Sequence, residues 1–146
     1  MDEGLCFGDT DADGDLDIIA CGQRDENGEK FVEHYRNDLP PQNWLHLRLV
    51  GPPGNRSAAG AKIRIYQPGG LDDPRRLLWY EQIAIWGRQS FHSYYTHSVT
   101  ERHFGLGQQT NVDLAVEFYP SQKIVQKKDV RANMTVSVCE EGDTPK

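Results

Sequence analysis

Residues 45–50 read Leu-His-Leu-Arg-Leu-Val, and this alternation of apolar and polar side chains decides the fold class. Neighbouring side chains of a β-strand point to opposite faces, so the three leucines share one face of a strand. The same period of two recurs at 61–66, 112–119 and 134–139. No stretch shows a strong 3.6-residue period. The chain is therefore predicted to be all-β, with one buried face on each of these strands.

Further strands and turns extend this pattern. Aromatic and β-branched residues at 77–85 and 91–95 mark two more candidate strands. Turns rich in Pro and Gly at 38–41, 51–54 and 68–70 separate the apolar runs. About eight short strands with such turns are typical of an antiparallel β-sandwich or a barrel-like body.

The acidic residues are concentrated at the N-terminus. The formal net charge is −6, and seven of the 22 acidic residues lie within residues 1–17, which contain no Lys or Arg. A nucleic-acid-binding protein needs a basic face, and the absence of a strong basic run predicts no nucleic-acid partner. No apolar run approaches the ~20 residues of a membrane helix, so no membrane span is predicted.

Composition also predicts how the chain is organised. Residues 1–38 hold the acidic segment and two short strands at 16–21 and 30–36, too little to fold alone. Residues 39–140 are predicted to form a neutral all-β body. Residues 141–146 are predicted to be a disordered tail.

The acidic segment is the main candidate site. Alternate residues of an extended loop can converge on one ion, and Gly14 permits the left-handed backbone that a tight loop needs. Oxygen ligands without Cys or His favour Ca²⁺ over Zn²⁺. Asp15 would offer its backbone carbonyl and Asp17 a closing carboxylate. The alternative is a solvated acidic turn. The predicted calcium ligands are Asp9, Asp11, Asp13, Asp15 and Asp17.

This loop differs from an EF-hand. Its twelfth position is Ala20 where an EF-hand has a bidentate Glu, and a strand pattern follows instead of a helix. With Phe7-Gly8-Asp9 before it and Leu16-Asp17-Ile18-Ile19 at its end, it resembles the FG-GAP (VCBS-type) calcium loop of β-propeller blades. One blade cannot close a propeller. The resemblance therefore implies an upstream propeller domain as a partner of this N-terminal calcium-loop hairpin.

Three segments of the body carry a second resemblance. They are Asn-Trp-Leu-His-Leu-Arg-Leu at 43–49, Asn-Arg-Ser-Ala-Ala-Gly-Ala-Lys-Ile at 55–63, and His-Phe-Gly-Leu-Gly at 103–107. In order and spacing they resemble the ASPIC/UnbV domain over residues 40–138. That domain follows FG-GAP repeats in secreted proteins. The resemblance thus implies a secreted, extracellular or periplasmic location, with a signal that this chain does not contain.

An aromatic stretch supplies the candidate ligand-binding residues. Exposed aromatic rings stack on sugars or anchor a protein partner. Core packing is the simpler alternative for the same residues. The candidates are Trp79, Tyr80, Trp86, Tyr94 and Tyr95.

The function predicted from these features is an extracellular, calcium-stabilised binding or adhesion module for a glycan or protein partner. No catalytic motif is found, so a binding protein is favoured over an enzyme. Two alternatives stay open: an enzyme or accessory subunit of a biosynthetic pathway, and a structural cap for a β-propeller. Cys6 and Cys21 flank the acidic loop, and both a bridge between them and free thiols are compatible with the sequence.

Overall fold

A computed structural model describes residues 4–23, 28–84 and 101–142 of the chain. The chain divides into two compact units, and the boundary between them falls after residue 42. Of the described residues, 4–23 and 28–42 belong to the first unit. Residues 43–84 and 101–142 belong to the second.

The first unit contains a three-stranded antiparallel sheet. Its strands are β1 (Gly4–Gly8), β2 (Asp17–Gln23) and β3 (Lys30–Tyr35), in the order β1-β2-β3. The register places Phe7 opposite Ile18, and Ile18 opposite Tyr35. The acidic loop connects β1 to β2, so its two ends are held together by the pairing of Gly8 with Asp17.

The described residues of the second unit form seven strands in two sheets. One sheet has the order β10-β4-β7 and the other the order β6-β5-β8-β9. A single turn of 3₁₀-helix, Pro74–Arg76, precedes β6. The strands are β4 (Asn43–Val50), β5 (Lys62–Tyr66), β6 (Leu77–Gln82), β7 (Glu101–Gly107), β8 (Asn111–Glu117), β9 (Ile124–Arg131) and β10 (Met134–Cys139).

Apolar side chains from both sheets form one core between them. The three alternating leucines of β4 are all buried, as their spacing predicts. They pack with the inward residues of β5 and β8, including Ile63, Ile65, Leu114 and Val116. Burial of each such side chain contributes about 1.5–3 kcal/mol relative to exposure. The prediction of an all-β sandwich is therefore confirmed.

The pairing of the strands departs from the prediction in two ways. β10 pairs with β4 in parallel, so the sandwich is not wholly antiparallel. Neither sheet of the described residues closes on itself, so the barrel-like alternative is wrong. A parallel pair is possible here because most of the second unit separates β4 from β10 in sequence, and parallel strands need a long connection.

Three of the described strands have no counterpart among the predicted strands: β1, β7 and β9. β9 is an edge strand whose Ile124 is 54% exposed, so burial does not impose an apolar face along it. The strand predicted at 77–85 is observed as Leu77–Gln82. The strand predicted at 91–95 lies outside the described residues, as does most of the predicted tail.

Among the described residues, no helix has the length and apolar character needed to cross a membrane.

Candidate functional site

The acidic loop between β1 and β2 brings three carboxylates together. One carboxylate oxygen from each of Asp9, Asp11 and Asp13 lies within 4.8 Å of the other two. Asp11 and Asp13 are exposed, and Asp9 is partly buried. Three negative charges at this spacing repel one another, and a cation between them would offset that repulsion.

The backbone of the loop supports this convergence. Gly14 has φ of 98° and Ala12 has φ of 63°, both in the left-handed region. The Gly14 N–H donates to Asp9 Oδ2 at 3.0 Å across the loop. The N–H of Asp13 donates to Asp11 Oδ1 at 3.3 Å, and that of Asp15 donates to Asp13 Oδ1 at 3.0 Å. These hydrogen bonds orient each carboxylate from within the loop itself.

Two carboxylate oxygens of the loop are buried without a hydrogen-bond partner: Asp9 Oδ1 and Asp15 Oδ1. A buried acceptor without a partner costs free energy, and a charged one costs more. Burial raises the pKa of Asp15, and the charge of Asp13 raises it further. The donor set therefore fits a hard cation with oxygen ligands, of which calcium is the usual choice for a flexible carboxylate loop.

Asp17 anchors the end of the loop. Its side chain is 1% exposed, and its two oxygens accept hydrogen bonds from the backbone N–H groups of Thr10 at 3.0 Å and Asn37 at 2.9 Å. The Thr10 hydroxyl also donates to Asp17. This hydroxyl, followed by the two backbone donors, lowers the pKa of Asp17 to about 2. Its carboxylate is therefore ionised throughout the physiological range.

The surroundings of Asp17 were not evident from the sequence. Thr10 Oγ1 lies 2.9 Å from His34 Nε2, and the same imidazole nitrogen lies 3.7 Å from Asp17 Oδ2. Arg36 Nη1 lies 3.9 Å from Asp11 Oδ2. These partners come from β3 and the segment after it, so only the folding of the sheet brings them to the loop. Metal binding stays a prediction for all five residues, Asp9, Asp11, Asp13, Asp15 and Asp17.

Two of the aromatic candidates lie on β6. Trp79 is 45% exposed and Tyr80 is 51% exposed, so neither is a buried core residue. The Trp79 indole N–H donates to the Gly105 carbonyl at 2.7 Å, whereas Tyr80 lies beneath the Arg64 guanidinium. As neighbours on a strand they point to opposite faces, and they do not form one continuous surface. The other candidates, Trp86, Tyr94 and Tyr95, lie outside the described residues.

The three cysteines are free thiols, all partly buried. Cys6 pairs with Ile19 and Cys21 pairs with Gly4, so the two cysteines are diagonal neighbours on β1 and β2. The bridge that the sequence left open is not formed in the structure.

Comparison with known proteins concerns the second unit. The family model described as ASPIC and UnbV matches residues 51–145, beginning directly after β4. No curated protein and no solved structure matches the chain. The acidic loop lies outside the matched segment, so its FG-GAP resemblance stays a prediction.

Proposed function

The chain belongs to the ASPIC and UnbV family, and from that premise we propose that it is an extracellular, calcium-stabilised binding or adhesion module for a glycan or protein partner. The observation that carries this proposal is the convergence of Asp9, Asp11 and Asp13 within 4.8 Å. The unpartnered buried oxygens of Asp9 and Asp15 support it, because they lack the donor that a folded protein normally supplies.

Some residues of the loop would bind the calcium ion, and others would hold the loop in position. Asp9, Asp11 and Asp13 would bind it through carboxylate oxygens, and the backbone N–H bonds to the same side chains would keep them oriented. Asp17 would hold the loop through Thr10 and would tie it to the segment after β3 through Asn37. Bound calcium would supply the positive charge that offsets their mutual repulsion.

The composition of the site supports an extracellular location. Calcium sites of extracellular modules have Kd of about 10⁻⁴–10⁻³ M, which millimolar calcium fills. Two of the three converging carboxylates are exposed, so their ion would remain in contact with solvent. Such an open site suits a high-calcium environment better than the low calcium of a cytosol.

A calcium titration by calorimetry, with thermal unfolding in parallel, tests the proposal. With Kd near 0.5 mM, about 5 mM calcium stabilises the loop by about 1.4 kcal/mol. Asp13→Asn should weaken binding, because it removes one of the three converging negative charges while retaining an oxygen for the Asp15 N–H. Glu141→Gln removes one exposed charge outside the loop and should bind as the parent does. Absence of heat and of a thermal shift in the parent protein at several millimolar calcium would refute the calcium site.

A partner-binding role is supported by the half-exposed rings of Trp79 and Tyr80. Aromatic rings of this exposure offer large contact areas at a small entropic cost. A glycan array together with a protein-interaction screen would test this half of the proposal. Replacement of Tyr80 by Ser should weaken capture of any partner that uses the outer face of β6, and unchanged capture would remove Tyr80 from the binding face.

A second candidate, a structural cap on a β-propeller, is favoured by the apolar face of the first unit. Leu5, Phe7 and Tyr35 are 48%, 59% and 54% exposed, and the strand register puts them on one face with Ile18. Exposed apolar patches of this kind mark contact surfaces. The cap predicts self-association of the isolated chain through this face, reversed by Phe7→Lys. A monomer in sedimentation at every accessible concentration would argue against it.

A further inference from the structure

A cavity of about 410 Å³ lies at one end of the second unit. Its lining comes from four places: the start of β4, the start of β8, the end of β9 and the turn that joins β9 to β10. The size falls in the range of small-molecule sites, about 300–1,000 Å³. The polar residues that line it are Asn43, Thr110, Asn111, Asp129, Arg131 and Asn133.

The turn that forms one wall of the cavity is fixed to its neighbours. The Asn133 N–H donates to the Trp44 carbonyl at 2.7 Å, and the Trp44 N–H donates back to Asn133 Oδ1 at 3.0 Å. The Ala132 N–H donates to the Thr110 carbonyl at 2.9 Å. These hydrogen bonds join β4, the start of β8 and the turn, so the backbone that carries the lining residues is held in position within the protein.

A β-bulge places the only carboxylate among the described residues of the lining. The register of β8 and β9 shifts between Val112 and Leu114, and Asp129 adopts φ of 54°. Buried Asp113 holds this bulge by accepting the Asp129 N–H at 2.9 Å. Bulges commonly re-aim a side chain toward a site. Here the Asp129 carboxylate reaches Asn111, which donates to it through Nδ2.

Much of the hydrogen-bonding capacity of the lining is unused among the described residues. Asn43 Oδ1 accepts from Asn133 Nδ2 at 2.9 Å, which leaves the Asn43 amide N–H groups and one Asn133 N–H available. The Arg131 guanidinium forms no hydrogen bond or ion pair with the described part of the chain, whereas its backbone pairs with Asn111 of β8. Asp129 retains a second carboxylate oxygen. The cavity therefore offers a surplus of donors, one cationic group and one strong acceptor.

We propose that this cavity binds an acidic saccharide, a sugar ring with neighbouring hydroxyls and a carboxylate or sulfate group. The planar Arg131 guanidinium is suited to bidentate recognition of such an anion. The Asp129 carboxylate repels a ligand that is anionic throughout, but it accepts hydrogen bonds from hydroxyls. Ring hydroxyls both donate to Asp129 and accept from the amides of Asn43 and Asn133, so one sugar satisfies all three kinds of group.

The lining also disfavours a protein partner at this place. Protein interfaces centre on buried aromatic or aliphatic anchors, and among the lining residues that the structure describes the one apolar side chain is the small Ala132. The inference names the partner class within the binding function proposed above and rests on that function. The described lining residues belong to the second unit and the acidic loop belongs to the first, so the two sites can be tested separately.

Titration of the whole chain with three saccharides, followed by amide chemical shifts, tests the inference. The probes are a uronate oligosaccharide, a sulfated disaccharide and a neutral glucose oligomer, each with calcium and with a chelator. We expect one of the acidic probes to bind and to shift signals of Asn43, Asn111 and Asn133. Arg131→Gln should weaken that binding about tenfold or more, because it removes a charge-assisted contact.

Lys128→Gln is the matched control, since it removes a cation from the same strand outside the lining. Unchanged saccharide binding by Lys128→Gln supports the inference. Equal losses of affinity in Lys128→Gln and Arg131→Gln would show that general charge attraction explains the binding, and this result would overturn the inference. Tighter binding of the neutral probe, or no binding by any probe at about 10 mM, would also overturn it. Saccharide binding without calcium binding would refute only the calcium site, and the reverse result would refute only this cavity.

Discussion

Asp113 offers the sharpest test of how the fold supports the cavity. It lies on β8 with 2% of its surface exposed, and no cation pairs with it in the described part of the chain. Its two oxygens accept backbone N–H groups instead, from Gly69 at 2.8 Å and from Asp129 at 2.9 Å. The side chain thus joins the turn after β5 to the bulge in β9.

The expected cost of Asp113→Ala follows from these two bonds. A hydrogen bond to a charged group contributes about 1.5–3 kcal/mol. Because Gly69 and Asp129 are exposed, water partly replaces the acceptor that their N–H groups lose. We therefore assign each of the two hydrogen bonds the lower end of this range, about 1.5 kcal/mol. The free energy of unfolding should fall by about 3 kcal/mol. Asp113→Asn keeps one acceptor oxygen, and its loss should be about half as large.

Urea unfolding followed by tryptophan fluorescence measures both losses. Asp72→Asn serves as the control, because it removes the charge of an exposed aspartate in the same unit and should cost less than about 0.5 kcal/mol. A loss below about 1 kcal/mol for Asp113→Ala would refute the assigned role. Equal losses of unfolding free energy in Asp113→Asn and Asp113→Ala would refute the idea that the loss depends on the number of acceptor oxygens that remain.

Three further predictions concern the loop, the core and β6. The pKa of Asp17 is about 2 in the folded protein and near 4 in the unfolded chain. The ionised carboxylate therefore stabilises the folded state fully above about pH 4, and this stabilisation is lost as the pH falls toward 2. Calcium-free protein should therefore lose signals of the first sheet in that interval, and Thr10→Val should move the loss to higher pH. Leu47→Ala, at a fully buried position, should lower the unfolding free energy by about 2–5 kcal/mol in urea. Trp79→Phe removes the bond to the Gly105 carbonyl and should cost about 0.5–1.5 kcal/mol by the same measurement.

Much of the fold and part of the site could be predicted from the sequence. The alternation of Leu45, Leu47 and Leu49 identifies a strand and its buried face, because the side-chain period of a strand is local. The acidic loop is also local, and the convergence of Asp9, Asp11 and Asp13 follows from their spacing and from the turn at Gly14.

Pairing and long-range contacts could not be predicted in this way. The parallel alignment of β10 with β4 depends on which strand edges remain free when the sheets pack, and no local pattern records that. The strand β9 was missed because an edge strand with a bulge buries too few side chains to require alternation.

The sequence by itself determined the all-β class, the buried faces of the main strands and the position of the acidic loop. Only the tertiary structure decided the support of Asp17 by Asn37 and the gathering of the polar cavity. Asn43 and Asn133 meet across a separation of 90 residues in the chain. The physical reason is that hydrophobic periodicity fixes which face of a strand is buried, whereas the meeting of polar groups depends on strand order and register, which the whole core determines together.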